Sequence, residues 1–491
     1  MQTLLLDDHW ALMDVNASGT CPQEIADGKP AIVVVDNDDF KIDTMTGNAS
    51  GAHRTNVMFV QPQDYEKKPN KDPPSKLVKK EISAQLMQKC ANLTQVQQYR
   101  CPPGSTSEPP AREKVDPPVD GLNPQRARSV IHALSRADNH GTRPPPDKQC
   151  VPAYSGAQSC HHPPLKRSKP YYHTTYNEPP SKSVVHDIMV KLLAAMREKN
   201  IPFSFLVGDM PTYKTIVQLK AENPELFKNI IPILGAFHQQ MSYIYAVYKR
   251  FERSGMADTL VAAGVVVEGS VDQALRGKHY RRGMRCIMLL REVLIHKRLC
   301  KLLEQGELSE DIKSNVDILR NALTETQEAL QKAHSDLQEE DEIKELIKKV
   351  YEKTGTDMGD FWLSFIEMTD PLVQSIDACH ARNGPQYLSS TYHMLPGLMA
   401  YDNHDYGRWL PDYWAMLSSL SDEQMAFFNE NFAQSMTGLP YSCQPMDLWI
   451  ETTINLNSKL KSGWLQLLQN EKQLFFNNKE CKQCCKGKSC C

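Results

Sequence analysis

Two apolar runs of the sequence each end in an aspartate. "AIVVVD" ends at Asp36, and "FSFLVGD" ends at Asp209, where Gly208 lets the backbone turn sharply. A carboxylate at a strand end is fixed in direction by a rigid element. Two of them on neighbouring strands could bridge hard cations such as magnesium, which takes oxygen ligands and keeps positions for water and phosphate oxygens. A third acid would come from a later helix. "PMDLWIETTINLNSKLKSGW" offers Asp447 and Glu451 one turn apart on one helical face. His238 follows the apolar run in "NIIPILGAF" and is placed to orient a phosphate or a neighbouring acid, or simply to cap the next helix. Taken singly, an acid after a strand is as readily a turn residue, and Asp38 and Asp39 are read as a solvated turn.

A second constellation is basic. "VVVEGSVDQALRGKHYRRGMR" carries Arg276, Lys278, Arg281, Arg282 and Arg285 just past a helix end. These could contact a phosphate backbone, or could be the ion-paired surface of a helix. Tyr401, Tyr406, Trp409 and Trp414 could stack on bases, but such residues are more often helix-packing core. "CHHPP" has metal-capable side chains without a partner pair at zinc-finger spacing. The final "CKQCCKGKSCC" offers Cys481, Cys484, Cys490 and Cys491, yet nothing before Lys479 prepares a zinc module. Zinc is not expected there, and the tail reads as dispensable.

The elements that would hold these groups follow from composition. The chain has 491 residues and a net charge of −3, so any nucleic-acid contact must be a local patch. The opening "MQTLLLDDHWALM" lacks a basic leader region, and no apolar run is long enough to span a bilayer. An intracellular protein with no membrane partner is expected. Residues 1–61 hold two strand candidates, 31–35 and 56–61, joined by "TMTGNASG". Residues 62–180 hold 20 of the 32 prolines, a density that forbids regular helix and central strand. Only 83–99 and 123–138 look helical there, so the segment reads as a Pro-rich extended insertion. Residues 181–240 show helix, strand, helix, strand, the pattern of a βαβ unit with parallel strands. Residues 241–440 read as helical. Within them Ile312, Val316, Leu319, Leu323, Leu330, Ala333 and Leu337 approach a heptad seam, which could pack internally or join copies of the chain. Residues 441–475 give a final helix and 476–491 the Cys-rich tail.

In order, these blocks resemble a large group of multi-copy, transposon-derived animal proteins. "VVVDNDDFKIDTMTGNASGAHRTNVMFVQ" resembles the group's D-N-x-D … T-x-x-G … H-x-x-N segment. "FLVGDMPTYKTIVQLKAENPELFKNIIPILGAFHQQ" resembles its G-D-x-P-x-Y and G-x-F-H blocks, and "EGSVDQALRGKHYRRGMRC" and "YDNHDYGRWLPDYW" resemble others. The likeness covers roughly residues 1–475. More loosely, the block order is similar to that of cut-and-paste transposases of the hAT class. The resemblance implies a mixed α/β fold: a ribonuclease-H-like sheet interrupted by the Pro-rich insertion and by a large all-helical insertion before the last acid. It implies Asp36, Asp209 and Glu451 as catalytic and metal-binding acids, magnesium as the cofactor, DNA as a partner, and a nuclear or otherwise cytoplasmic location. His238 matches a histidine that often follows a Cys or Asp in that class, but Gly235 stands where that residue would be. That departure, and a chain that starts just before the first core strand, imply a degenerate nuclease or strand-transfer core. The alternative expectation is a non-enzymatic protein that binds a protein or nucleic acid through its helical insertion.

Overall fold

The computed structural model describes residues 21–62 apart from 23 and 44–48, then 96–109, 122–135, 154–159, 162–306 apart from 177, the single positions 314 and 332, and 341–455 apart from 402. It is a mixed α/β structure built on one five-stranded sheet.

β1 (Ala31–Asp43) and β2 (Ala49–Pro62) form a long antiparallel hairpin. Both strands outrun their apolar stretches. The ladder continues through the acids of β1 because β2 lies alongside: Asp36 faces Asn56, and Asp38 faces Arg54. Asp38 is fully buried in the sheet. The expected solvated turn at Asp38 and Asp39 is therefore a paired strand, stabilised by a continuous set of cross-strand neighbours.

After β2 come α1 (Leu122–Ser135) and α2 (Tyr154–Ser159), then β3 (Ser168–Tyr176), which pairs antiparallel with β2. β3 was not legible as a strand, because it lies inside the stretch whose proline density predicts an extended insertion. Its own Pro170 is tolerated because β3 is an edge strand, where one missing N–H need not break a central ladder. α1 overlaps the helix expected over 123–138, while most of the helix expected over 83–99 lies outside the described residues.

The βαβ region follows as expected: α3 (Lys182–Glu198), β4 (Ser204–Gly208), α4 (Met210–Glu222) and β5 (Ile230–Leu234). β4 runs parallel to β1 and β5 parallel to β4, giving the order β3-β2-β1-β4-β5. The helical region comprises α5 (Ala236–Phe251), α6 (Met256–Ala262), α7 (Glu268–Leu275), α8 (Tyr280–Glu304), α9 (Asp341–Val350), α10 (Asp357–Ala381), α11 (Gly384–Ala400), α12 (His404–Ser418) and α13 (Asp422–Asn431). A short β6 (Ala433–Gln434) pairs with β7 (Gln444–Pro445), which leads into α14 (Met446–Ile450) and a wider π-helical turn, Glu451–Asn455.

Alternation along β1 divides the core. Ala31, Val33 and Val35 pack with residues of α3 and α4, while Ile32 and Val34 pack with the helical body. Side chains two residues apart share a face, so Asp36 and Asp38 continue the face turned to the helices. A third cluster joins α1 to α8 and α9. Tyr406 and Trp409 are buried in α12 as helix packing rather than as a base-stacking surface. The heptad-like seam over 312–337 and the Cys-rich tail over 476–491 lie outside the described residues. Among the described residues no helix is long and apolar enough to cross a membrane.

Candidate metal centre

Three elements converge along β1, just beyond the stretch that pairs with β4. Asp36 sits two residues past Val34, the last position of β1 that pairs with β4. His238 occupies the first turn of α5, and Glu451 the turn that follows α14. One potential ligand atom from each of Asp36, His238 and Glu451 lies within 4.8 Å of the other two.

Asp36 is buried and held from one side only. Its Oδ2 accepts a hydrogen bond from Asn455 Nδ2 at 2.9 Å. Asn455 Nδ2 also reaches the carbonyl of Asn37 at 3.1 Å, while its Oδ1 accepts from Asn56 Nδ2 at 2.7 Å. Thr175 Oγ1 on β3 donates in turn to Asn56 Oδ1 at 2.5 Å. A relay across three strands thus fixes one oxygen of Asp36. The other, Oδ1, is buried and makes no hydrogen bond among the described residues. An orphaned carboxylate oxygen costs free energy unless a cation or proton meets it. That orphan, beside a second carboxylate and an imidazole, is a donor set that fits a divalent cation with mixed O and N ligands.

The electrostatics fit the same reading. Burial raises the Asp36 carboxyl well above the usual range. The nearby His238 opposes that shift, while the charges of Glu451, Asp209 and Asp447 add to it. For His238, burial alone would lower the imidazole. Its hydrogen bond to Asp447, with the charges of Asp447, Asp36 and Asp209, outweighs burial and raises it to about 9. The metal-free site therefore holds a protonated His238 bonded to Asp447, and a cation taking the other ring nitrogen would displace that proton.

This gives a pH dependence. The His238 value in the folded protein lies above the ordinary 6.5, so the protonated form stabilises the fold. The contribution is complete below pH 6.5 and disappears as pH rises through about 9. Metal-free protein is expected to lose on the order of 3 kcal/mol of stability across that window. Melting temperatures at pH 6 and pH 9 measure it. His238→Asn should flatten the profile, and a wild-type slope no steeper than the variant's would contradict it.

Asp209 lies two residues past Val207, its β4 position matching that of Asp36 on β1. It stands outside the three-residue group. Its Oδ1 caps α4 by accepting the Thr212 N–H at 3.0 Å, although its charge still reaches Asp36 and His238. Gly208 before it is required by packing: a Cβ there would lie 2.8 Å from Thr212 Cβ. Asp447 and Asn455 belong to the site, but nothing in the sequence singles out their roles. Asp447 Oδ1 accepts the Phe237 N–H at 3.1 Å, and its Oδ2 accepts the His238 N–H and pairs with His238 Nδ1, both at 3.0 Å. The available signal was Asn56, opposite Asp36 in the hairpin register, but its partner lies 399 residues away in the chain.

The basic cluster flanks this centre. Tyr280, which opens α8, packs edge-on against Phe237 with ring centroids 4.9 Å apart. Lys278, Arg281, Arg282 and Arg285 are exposed around it and form no ion pair with the described residues. Arg276 differs. It pairs with Asp272 at 2.8 Å and lies 3.9 Å from Glu252, so it is already neutralised on its own surface.

Residues 157–476 match the model of a family described as a domain of unknown function, DUF8702, and the chain belongs to that family. The matched range carries Asp209, His238, Asp447, Glu451 and the basic cluster, while Asp36 comes from the hairpin ahead of it. No curated protein and no solved structure matches the chain.

Proposed function

We propose that the protein is transposase-derived, with a ribonuclease-H-like core that has kept one cation position and acts on DNA phosphodiesters by metal-dependent hydrolysis. The observation that carries this reading is the approach of ligand atoms of Asp36, His238 and Glu451 to within 4.8 Å of one another, on a central strand just past its pairing with β4. The strand order β3-β2-β1-β4-β5, antiparallel on one side of β1 and parallel on the other, supports the fold assignment. A bound magnesium or manganese ion would polarise a phosphoryl oxygen and lower the pKa of its water. Asp36 and Glu451 would hold it, and the His238 nitrogen not bonded to Asp447 would complete the set. Asp209 has one oxygen committed to the α4 cap, which favours a single-cation site and argues for degeneracy of a two-cation one. Lys278, Arg281, Arg282 and Arg285 would hold the backbone phosphates against the centre.

The test is nicking of supercoiled plasmid in manganese or magnesium. Wild type is expected to nick only with the cation present. Glu451→Gln and Asp36→Asn should reduce the rate at least 100-fold, and strand-transfer products should be absent. Equal nicking by all three proteins would sink the nuclease reading.

The exposed cations favour a second reading, DNA binding without chemistry. For that reading, Arg281→Ala with Arg282→Ala should weaken binding uniformly across sequences and reduce its salt dependence.

A further inference from the structure

Gly235 follows β5 and stands at the N-cap of α5, where it offers no side chain to the helix. The first helical N–H groups lack partners within the helix, and an Asp or Ser at the N-cap ordinarily satisfies those of the second and third helical residues. Here those residues are Phe237 and His238, and both N–H groups are taken by the carboxylate of Asp447. Asp447 reaches in from α14, more than two hundred residues further along the chain. A Cβ at position 235 would lie 2.2 Å from Asp447 Oδ2 and 2.5 Å from its Cγ, closer than any real contact. The carboxylate of Asp447 therefore occupies the space that a capping side chain at position 235 would use.

We infer that Asp447 is the positioning residue of His238, supplying from α14 the cap and the imidazole partner that position 235 does not provide. One carboxylate does both jobs. Its bonds to two backbone N–H groups fix the start of α5, where a negative charge also meets the positive end of the helix. Its contact with Nδ1 sets the rotation of the ring and leaves Nε2 as the nitrogen not engaged by Asp447. A carboxylate on the far nitrogen of a ligating histidine orients the ring and raises its basicity toward a cation. The absence of a side chain at position 235 is then a compensated exchange rather than a loss. Only the purpose of Nε2 rests on the proposed metal site; the positioning itself does not.

The test relocates the carboxylate. Asp447→Ala, Asp447→Asn, Gly235→Asp and the double variant Gly235→Asp with Asp447→Gly are compared with wild type in the full chain. Nitrogen NMR of selectively labelled histidines reads the His238 ring, and manganese titration reads affinity. Asp447→Ala should lose the hydrogen-bonded Nδ1 proton signal of His238, while Asp447→Asn keeps an acceptor oxygen but no charge; both should weaken manganese binding about 10- to 100-fold. The double variant should recover the signal and most of the affinity. Gly235→Asp alone, with two carboxylates in one space, should lower the melting temperature. A retained Nδ1 signal in folded Asp447→Ala, or a double variant no better than Asp447→Ala, would overturn the inference. If wild type binds no manganese while the Nδ1 signal still depends on Asp447, the metal reading fails and the positioning role stands.

Discussion

Asp370→Ala is expected to destabilise the protein by about 3–5 kcal/mol, the cost of leaving a buried charge without its partner. Asp370 lies on α10 and is wholly buried. Its Oδ1 accepts from Arg291 Nη2 at 2.5 Å and from the Tyr351 hydroxyl at 2.9 Å, and its Oδ2 accepts from Arg126 Nε at 2.7 Å. Arg291, on α8, has only 4% of its side chain exposed, so removing the carboxylate strands a guanidinium away from water. Two turns further along α10, Asp377 plays the same part. It accepts from the hydroxyls of Tyr154 and Tyr441, and Arg128 lies 3.5 Å away. Arg126, Arg128 and Tyr154 all come from α1 and α2, so these two acids tie the Pro-rich segment to the helical body. Chemical denaturation gives the measurement. A double variant, Asp370→Leu with Arg291→Met, should recover most of the loss, because the buried Arg291 is no longer stranded and Arg126, 24% exposed, keeps access to water. A loss below about 1 kcal/mol in Asp370→Ala would show that the network is not a structural tie.

The second large effect is stabilisation by a divalent cation. An ion that binds only the folded protein raises stability by mass action, about 2.7 kcal/mol at one hundred times its dissociation constant. In thermal unfolding with manganese, wild type should show that shift, while Asp36→Asn and Glu451→Gln should not. Asp209→Asn should keep most of it, since Asp209 caps α4 instead of joining the three-residue group. Asp405→Asn, which removes only a surface partner of Lys214, should keep all of it. Without metal the order reverses for Asp36. Its raised carboxyl makes the charged form a liability above the ordinary pKa, so Asp36→Asn should stabilise the metal-free protein at neutral pH or cost little. Equal manganese shifts in all five proteins would place the cation elsewhere.

The parts of the fold that announce themselves locally were legible. β4, β5 and the apolar halves of β1 and β2 are short apolar runs bounded by turn or polar residues. The run of helices after His238 follows from its apolar periodicity. β3 was hidden because "SKPYYHTTY" carries a proline and sits among prolines, and its strand state is imposed by the exposed edge of β2. Asp38 was misplaced for a related reason. An acid looks like the end of a strand unless the length of its partner strand is known, and that length is set by pairing, not by the residue itself. Asp36, His238 and Glu451 could be nominated from strand ends and one late helix. Asp447 could not be given its role, because it bonds to backbone N–H groups some two hundred residues away and to a glycine's empty space. A missing side chain at Gly235 looks like decay in the sequence, whereas in the fold it makes room for another group.

The most direct measurement of the central claim is anomalous diffraction from crystals soaked in manganese. A manganese peak is expected within coordination distance of Asp36 Oδ1 and Glu451, roughly 2.0–2.2 Å for a small hard cation, with a His238 nitrogen as the third protein ligand. A well-occupied peak elsewhere, or none at this position in soaked crystals with an ordered site, would contradict it.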